Sequence, residues 1–212
     1  MDISKSQIEV ENRLAQLGLT QAMLLKAVWQ GQLAFASCTP NHPPLVRGVW
    51  AWGETVRGLR EELIPRGWDR TDYNNYSLVV SSDSSIAIAV ATGDESTGLA
   101  FGTPCTKSKK GPNTASAVTE NQEQLLLQFP DIEPEAIDSM VGDSTMTYIL
   151  LIHRTQDKVR SELSLPTSLG SDGRVNAWSE RILLEDIDLN GAPIDPAGFD
   201  VPDIDVQIKR RA

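Results

Sequence analysis

The sequence predicts an α+β fold in which an N-terminal helical hairpin is followed by a mixed domain with an antiparallel β-hairpin, a meander and packed helices. Three observations support this class: helical spacing dominates the N-terminal part, alternating strand patterns dominate the C-terminal part, and strands do not alternate regularly with helices. With 212 residues the chain is long enough to bury a sizeable core. We expect the helical hairpin in residues 1–38 and the α+β body in residues 45–212, with an acidic, Pro/Asp-rich segment at 185–205.

Two amphipathic helices form the predicted hairpin. In residues 3–17 the apolar side chains fall on one stripe, and Ser4 with Gln7 makes a capping box. A second helix, capped by Thr20, runs to about residue 36 and crowds its apolar side chains on one side. Because this helix offers little basic charge, we interpret the hairpin as core packing and not as a DNA-reading helix-turn-helix.

Two further helices are predicted in the body. Closely spaced prolines make residues 39–44 a linker, and a helix over residues 53–64 follows it and stops at a proline. The next helix is capped by Asn113 or Thr114 and ends at Pro130.

Five segments have the composition and alternation of β-strands. Residues 76–81 and 85–92 flank a short turn and predict a β-hairpin. Residues 145–153, 159–165 and 174–184 follow one another with turn signals between them, which predicts an antiparallel meander.

The long segment at residues 93–114 shows neither the helical nor the strand periodicity of apolar residues. It is rich in glycine and has few large apolar side chains, so we expect it to be the most mobile internal part of the chain. Its basic residues, Lys107, Lys109 and Lys110, with the neighbouring glycines, make it a candidate phosphate or ligand loop, although the spacing matches no established phosphate-binding motif.

Composition restricts the compartment and the class of partner. No apolar stretch is long enough to cross a membrane, the N-terminus lacks the order of a secretory signal, and Cys38 and Cys105 are too few for a disulfide framework. We therefore expect a cytoplasmic protein with two free thiols. The net charge of −10 arises beyond residue 118, where 18 acidic residues face 8 basic ones, and a chain of this charge is a poor non-specific binder of nucleic acid.

No complete catalytic constellation is present in the sequence. His42 and His153 are the only histidines, and neither lies near a cysteine at metal-ligand spacing. No nucleophile elbow, phosphate-binding fingerprint or Ca²⁺ loop matches either. We predict no catalytic residue, no metal and no cofactor.

One region interleaves aromatic and basic residues densely enough to suggest a binding surface. Tryptophan, tyrosine and arginine are enriched at protein interface hot spots, and they also bind single-stranded nucleic acid. The alternative is that the tryptophans are core and the arginines pair with neighbouring acids. The residues that we predict to contact a partner are Arg57, Arg60, Arg66, Trp68 and Arg70.

These observations favour a non-enzymatic accessory or adaptor subunit of a larger cytoplasmic assembly, with another protein as its partner and no membrane contact. A second hypothesis is a nucleic-acid-associated protein, acting through single-strand binding or DNA mimicry. A third is an enzyme whose active site assembles from scattered residues. The sequence does not fix the oligomeric state.

Overall fold

The computed structural model describes residues 1–72, 76–127 and 145–190. In these residues it contains four helices, eight strands and a short 3₁₀ turn after the third helix, at Ile64–Arg66. The helices are α1 (Gln7–Gln16), α2 (Gln21–Ser37), α3 (Val46–Leu63) and α4 (Pro112–Leu127). The strands are β1 (Asp2–Ser4), β2 (Asp69–Thr71), β3 (Leu78–Val80), β4 (Ile86–Thr92), β5 (Met146–Arg154), β6 (Lys158–Leu169), β7 (Val175–Leu183) and β8 (Ile187–Asp188).

All eight strands belong to one mixed sheet, which confirms the α+β class. Its order is β1-β7-β6-β5-β4-β3-β2, with β8 pairing β6 outside this path. The hairpin β3–β4 and the meander β5–β6–β7 are antiparallel, as predicted. Two neighbouring pairs, β4–β5 and β1–β7, are parallel. The first arises because the connection between β4 and β5 contains α4, and a crossover of this length returns the chain in the same direction.

The sheet is covered on both faces. On one face α1, α2 and α3 contribute Leu14, Leu24 and Leu59 to a core that also contains Leu150 and Leu163 of the sheet, and all five side chains are fully buried. On the other face α4 packs its Val118 against the strands in a smaller cluster. The first three helices therefore share one core with the sheet.

The prediction for the start of α1 is wrong. The N-cap is Ser6, whose side chain accepts from the Glu9 amide while the Glu9 carboxylate accepts from the Ser6 amide, so the capping box lies two residues later than Ser4 and Gln7. The preceding residues are extended and pair with β7 as β1. The second helix is capped by Thr20, as predicted.

The prediction for the start of α3 is also wrong. This helix begins at Val46, directly after the prolines of the linker, and not at Gly53. It packs closely on α2, and a Cβ added to Gly58 would lie 2.9 Å from the Ala27 Cα. The helix pair with the most extensive contact in the described residues is thus α2–α3, whereas α1 makes smaller contacts with β7, β1 and α2.

A buried ion pair joins β6 to β7 on the face opposite α1 to α3. The Arg181 guanidinium binds both carboxylate oxygens of Glu162, with Nε–Oε1 3.0 Å and Nη2–Oε2 2.6 Å, and both side chains are fully buried. The Ser164 hydroxyl also donates to Glu162 Oε1 at 2.7 Å. A bidentate pair of this kind is stable in the interior only when its remaining hydrogen-bonding groups have partners.

The loop between β4 and α4 supplies those partners. Arg181 donates to the carbonyls of Leu99 and Gly102, at 2.9 Å each, and the Gly98 amide donates to Glu162 at 2.8 Å. Elsewhere in the loop Thr97 and Thr106 are fully buried. Although residues 93–114 have few large apolar side chains, the loop therefore covers a buried ion pair.

Candidate protein-binding site

Helix α3 carries one apolar stripe, which is exposed at its N-terminal end and buried at its C-terminal end. At the C-terminal end Val56, Leu59 and Leu63 are buried. The residues Leu45, Val49 and Trp52 precede Val56 at intervals of four, three and four residues and are 82, 63 and 39% exposed. At 100° per residue all six positions lie on the same side of the helix, so the exposed residues extend the buried stripe beyond the core. An exposed apolar row of this kind is a candidate binding surface.

The exposed stripe continues into a groove of about 550 Å³ between α3 and β2. Gly53 and Val56 lie at the helix side of the groove, and Ile64, which is 39% exposed, lies at its end. A Cβ added to Gly53 would meet no atom within 4 Å, so the groove is open there. The structure brings three of the predicted partner-binding residues together in this groove, whose complete lining is Gly53, Val56, Arg57, Arg60, Glu61, Ile64, Pro65 and Arg70.

Arg57 is held in place by two carboxylates of its own helix. Its Nε donates to Glu54 Oε2 at 2.8 Å and its Nη1 to Glu61 Oε1 at 2.5 Å. These hydrogen bonds, that of Glu54 first, raise the pKa of the Arg57 guanidinium. Because 45% of the side chain remains exposed, the guanidinium is fixed in direction and still accessible from the groove.

Arg60 connects α3 to the end of β2. Its Nη2 donates to Asp72 Oδ1 at 2.7 Å, and this bond, with a second one from Ser77, lowers the pKa of the Asp72 carboxyl. Only 18% of the Arg60 side chain is exposed, so its stem covers apolar surface at the floor of the groove.

Arg66 and Arg70 differ in their relation to the groove. Arg66 donates to the carbonyl of Glu62 and does not line the groove. Arg70 is exposed on β2 and does line it. Among the described residues no carboxylate lies within ion-pair distance of the Arg70 guanidinium, in contrast to Arg57 and Arg60.

The prediction that Trp68 is an exposed contact residue is wrong. Trp68 is only 8% exposed and belongs to the core beneath α3. Gly67 has a φ of +90° and ends the 3₁₀ turn, which allows the Trp68 amide to donate back to the Leu63 carbonyl at 3.3 Å. A left-handed glycine followed by an apolar residue that packs on the preceding helix is a common helix end. The ring therefore stabilises the fold.

The three lysines of the candidate phosphate loop differ in exposure, and two of its glycine amides are already hydrogen-bonded. The amides of Gly93 and Gly98 donate to acceptors within the protein, so they are not available for phosphate. Lys107 and Lys109 are exposed, whereas burial lowers the pKa of Lys110. The phosphate-loop prediction thus gains no support from the geometry.

Other chemistry is sparse in the described part of the chain. Within it, no group of three or more histidine, cysteine or acidic side chains is placed to hold a metal ion. Cys38 and Cys105 are both free thiols, and burial raises the pKa of the Cys105 thiol.

Sequence reasoning missed the apolar half of the site, which consists of Leu45, Val49 and Trp52 with the open position at Gly53. The spacing of four and then three residues from Leu45 is helical and was available as a signal. The linker predicted at residues 39–44 and the helix predicted from residue 53 assign no element to residues 45–52. Proline is tolerated directly before a helix and in its first turn, so α3 begins earlier.

No family model, curated protein or solved structure matches this chain. In the described ranges, none of the helices has the length and apolar character needed to cross a membrane.

Proposed function

We propose that this protein is a non-enzymatic accessory or adaptor subunit of a cytoplasmic assembly, and that it binds another protein through the exposed N-terminal part of the apolar stripe of α3. The observation that carries this proposal is the exposed apolar stripe of α3, which runs directly into a groove lined by Arg57, Arg60 and Arg70. Apolar and aromatic side chains with a rim of arginines are the composition of an interface centre.

The pairing of the arginines favours a protein partner over nucleic acid. Arg57 and Arg60 already bind carboxylates, so their charge is largely compensated before any phosphate arrives. Fixed, partly desolvated arginines are instead suited to directional hydrogen bonds at a protein interface, because their side-chain entropy is already lost.

The test is affinity purification of the full chain from native cells, with the double variant Val49→Asp, Trp52→Asp beside the wild type. Both side chains are exposed, so the variant should fold, while two carboxylates on the stripe should reduce recovery of a stoichiometric partner at least tenfold. Ile8→Asp is the matched control, because Ile8 is also an exposed apolar residue on a helix, 72% exposed, but lies on α1.

Equal recovery of the partner by the wild type and the double variant would contradict the proposal. Co-purification of nucleic acid whose binding falls steeply with salt, without a protein partner, would establish the nucleic-acid hypothesis in its place.

A further inference from the structure

Two arginines meet at one aromatic ring near the C-terminal end of α2. The guanidinium carbon of Arg47, on α3, lies 4.1 Å from the centre of the Phe35 ring, and that of Arg154, at the end of β5, lies 5.3 Å from it. The two guanidiniums are therefore separated by no more than the sum of these distances. Both are positively charged at neutral pH, so they repel each other.

Neither of these arginines has a carboxylate partner among the described residues. Arg13 and Arg181, by comparison, each bind one, at 2.5 and 2.6 Å. Arg154 is also partly buried, and this burial lowers the pKa of its guanidinium to about 10. A cation that is removed from water needs a compensating charge, and the face of an aromatic ring replaces only part of the lost hydration. Within the described ranges the two charges are therefore uncompensated.

The guanidinium of Arg154 is held in a fixed direction. Its Nε donates to Oε1 of the buried Gln32 at 3.2 Å, and its Nη2 is buried without a hydrogen-bond partner in the described chain. A Cβ added to Gly31 would lie 3.2 Å from this Nη2, so the glycine leaves the room that the guanidinium uses. Nη1 also makes no hydrogen bond to a described residue but, unlike Nη2, is not buried.

Arg47 is also held in place, but its side chain is exposed. Its Nε donates at 3.0 Å to the carbonyl of Phe35, which is one of the last carbonyls of α2. A cation is favourable at this end of a helix, which accounts for the position of Nε. The terminal amino groups of Arg47 form no hydrogen bond with the part of the chain that the structure describes. Both guanidiniums at the Phe35 ring thus have unused donors.

We infer that Arg47 and Arg154 form a binding site for a phosphate dianion, either free phosphate or the phosphate group of a small molecule. Two guanidiniums match the charge of a dianion, and the forked donors of arginine match the oxygens of phosphate. A single carboxylate would neutralise only one of the two cations. The inference does not depend on the proposed function, because neither arginine lines the groove beside α3.

NMR of the arginine side chains tests this site in the full chain. Spectra of the isotope-labelled wild type are recorded at neutral pH while inorganic phosphate replaces chloride at constant ionic strength. We expect the Nε–H signals of Arg47 and Arg154 to shift and to saturate. The Nε–H signal of Arg174 is the internal control, because Arg174 is exposed and pairs with Asp172 at 3.6 Å, and it should not shift.

Substitution of each arginine then tests its contribution to the site. Arg47→Gln and Arg154→Gln should each weaken phosphate binding by about tenfold or more, because each removes one of the two charges. Arg174→Gln is the matched control and should leave the affinity within about twofold. Circular dichroism verifies the fold of each variant. Arg47 is exposed, so Arg47→Gln keeps the test decisive even if Arg154→Gln does not fold.

Methyl phosphate distinguishes the two sources of the dianion. Binding of methyl phosphate as tightly as inorganic phosphate would show that the site accepts the phosphate group of a larger ligand. Binding of inorganic phosphate alone would show that the site holds the free anion.

Three results would overturn the inference. The first is a wild type whose arginine signals do not respond when phosphate replaces chloride. The second is an unchanged phosphate affinity in Arg47→Gln. The third is a response that appears only after Asp195, Asp200, Asp203 and Asp205 are changed to asparagine, which would identify the acidic C-terminal segment of the chain as the occupant.

Discussion

Arg181 and Arg57 each make two hydrogen bonds to carboxylate oxygens, yet Arg181 is fully buried and 45% of the Arg57 side chain is exposed. The first ion pair lies beneath a loop whose backbone supplies its remaining partners. The second lies at the rim of an open groove, with both of its acids on the same helix. Burial therefore determines what an arginine–carboxylate pair contributes. The buried pair of Arg181 contributes conformational stability, whereas the exposed pairs of Arg57 position an accessible hydrogen-bond donor.

The largest effect should come from the buried pair. Arg181→Met leaves the Glu162 carboxylate buried without its cation, and we expect the free energy of unfolding to fall by about 3–5 kcal/mol. Urea denaturation measures the change. The control is Arg174→Met, which removes a surface pair with Asp172 at 3.6 Å and should cost less than about 1 kcal/mol. Similar losses of unfolding free energy in the two variants would show that burial does not determine how much an ion pair contributes to stability.

Two tryptophans, Trp52 within α3 and Trp68 after the 3₁₀ turn that follows it, extend the comparison to apolar side chains. Trp68→Ala removes a buried ring from the core, and we expect a loss of about 3 kcal/mol in the free energy of unfolding. Trp52→Ala, from an exposed position, should change it by less than about 1 kcal/mol. A large loss for Trp52 in the same urea titration would mean that the stripe is covered by the chain itself.

Alanine substitutions at two glycines of α3 should have smaller effects on stability, and the two effects should be opposite in sign. Gly53→Ala introduces a methyl group into open space, and we expect it to stabilise the protein by up to about 1 kcal/mol through helix propensity. Gly58→Ala should destabilise it, because the new Cβ would lie 2.9 Å from the Ala27 Cα. Thermal unfolding of both variants distinguishes the open face from the closed one. Destabilisation by Gly53→Ala would show that the groove is not open.

The smallest effect on stability is expected for the two exposed arginines near the groove. Arg66→Ala combined with Arg70→Ala should leave the free energy of unfolding within about 1 kcal/mol of the wild type. Binding of the partner should weaken, mainly through faster dissociation and with modest salt dependence. Surface plasmon resonance at two salt concentrations measures both. If the double variant unfolds, these arginines belong to a stabilising network and not to a binding surface.

Sequence patterns predicted much of this fold because local physical chemistry determines those elements. Thr20 caps α2, the hairpin β3–β4 follows its turn, and the meander β5–β6–β7 follows its alternation. The parallel pairing of β1 with β7 joins residues at opposite ends of the described chain, and a three-residue strand carries no pattern that reports such a partner. The buried pair of Glu162 and Arg181 was missed for the same reason, since only the folded sheet brings these charges beneath the loop.

The candidate site was predictable in composition but not in detail. Arg57, Arg60 and Arg70 do meet in one groove, as an arginine-rich surface requires. Trp68 was misassigned because tryptophan serves both cores and interfaces, and only the turn at Gly67 decides the direction of its ring. The exposed apolar stripe was not predicted, because the predicted helix begins at Gly53 and omits the first two turns of α3.

The pairing of β1 with β7 has a consequence for how the chain is made. Residues Asp2 to Ser4 pair with Glu180 to Ile182, so β1 finds its neighbouring strand only when nearly all of the described chain has left the ribosome. At ordinary rates of bacterial or eukaryotic synthesis this takes roughly 10–40 s. During that interval the apolar faces of α1 and α2, which in the native state pack on β5 to β7, have no sheet to cover them. We therefore expect the nascent chain to depend on chaperones, and its N-terminal half alone to aggregate when expressed without the meander.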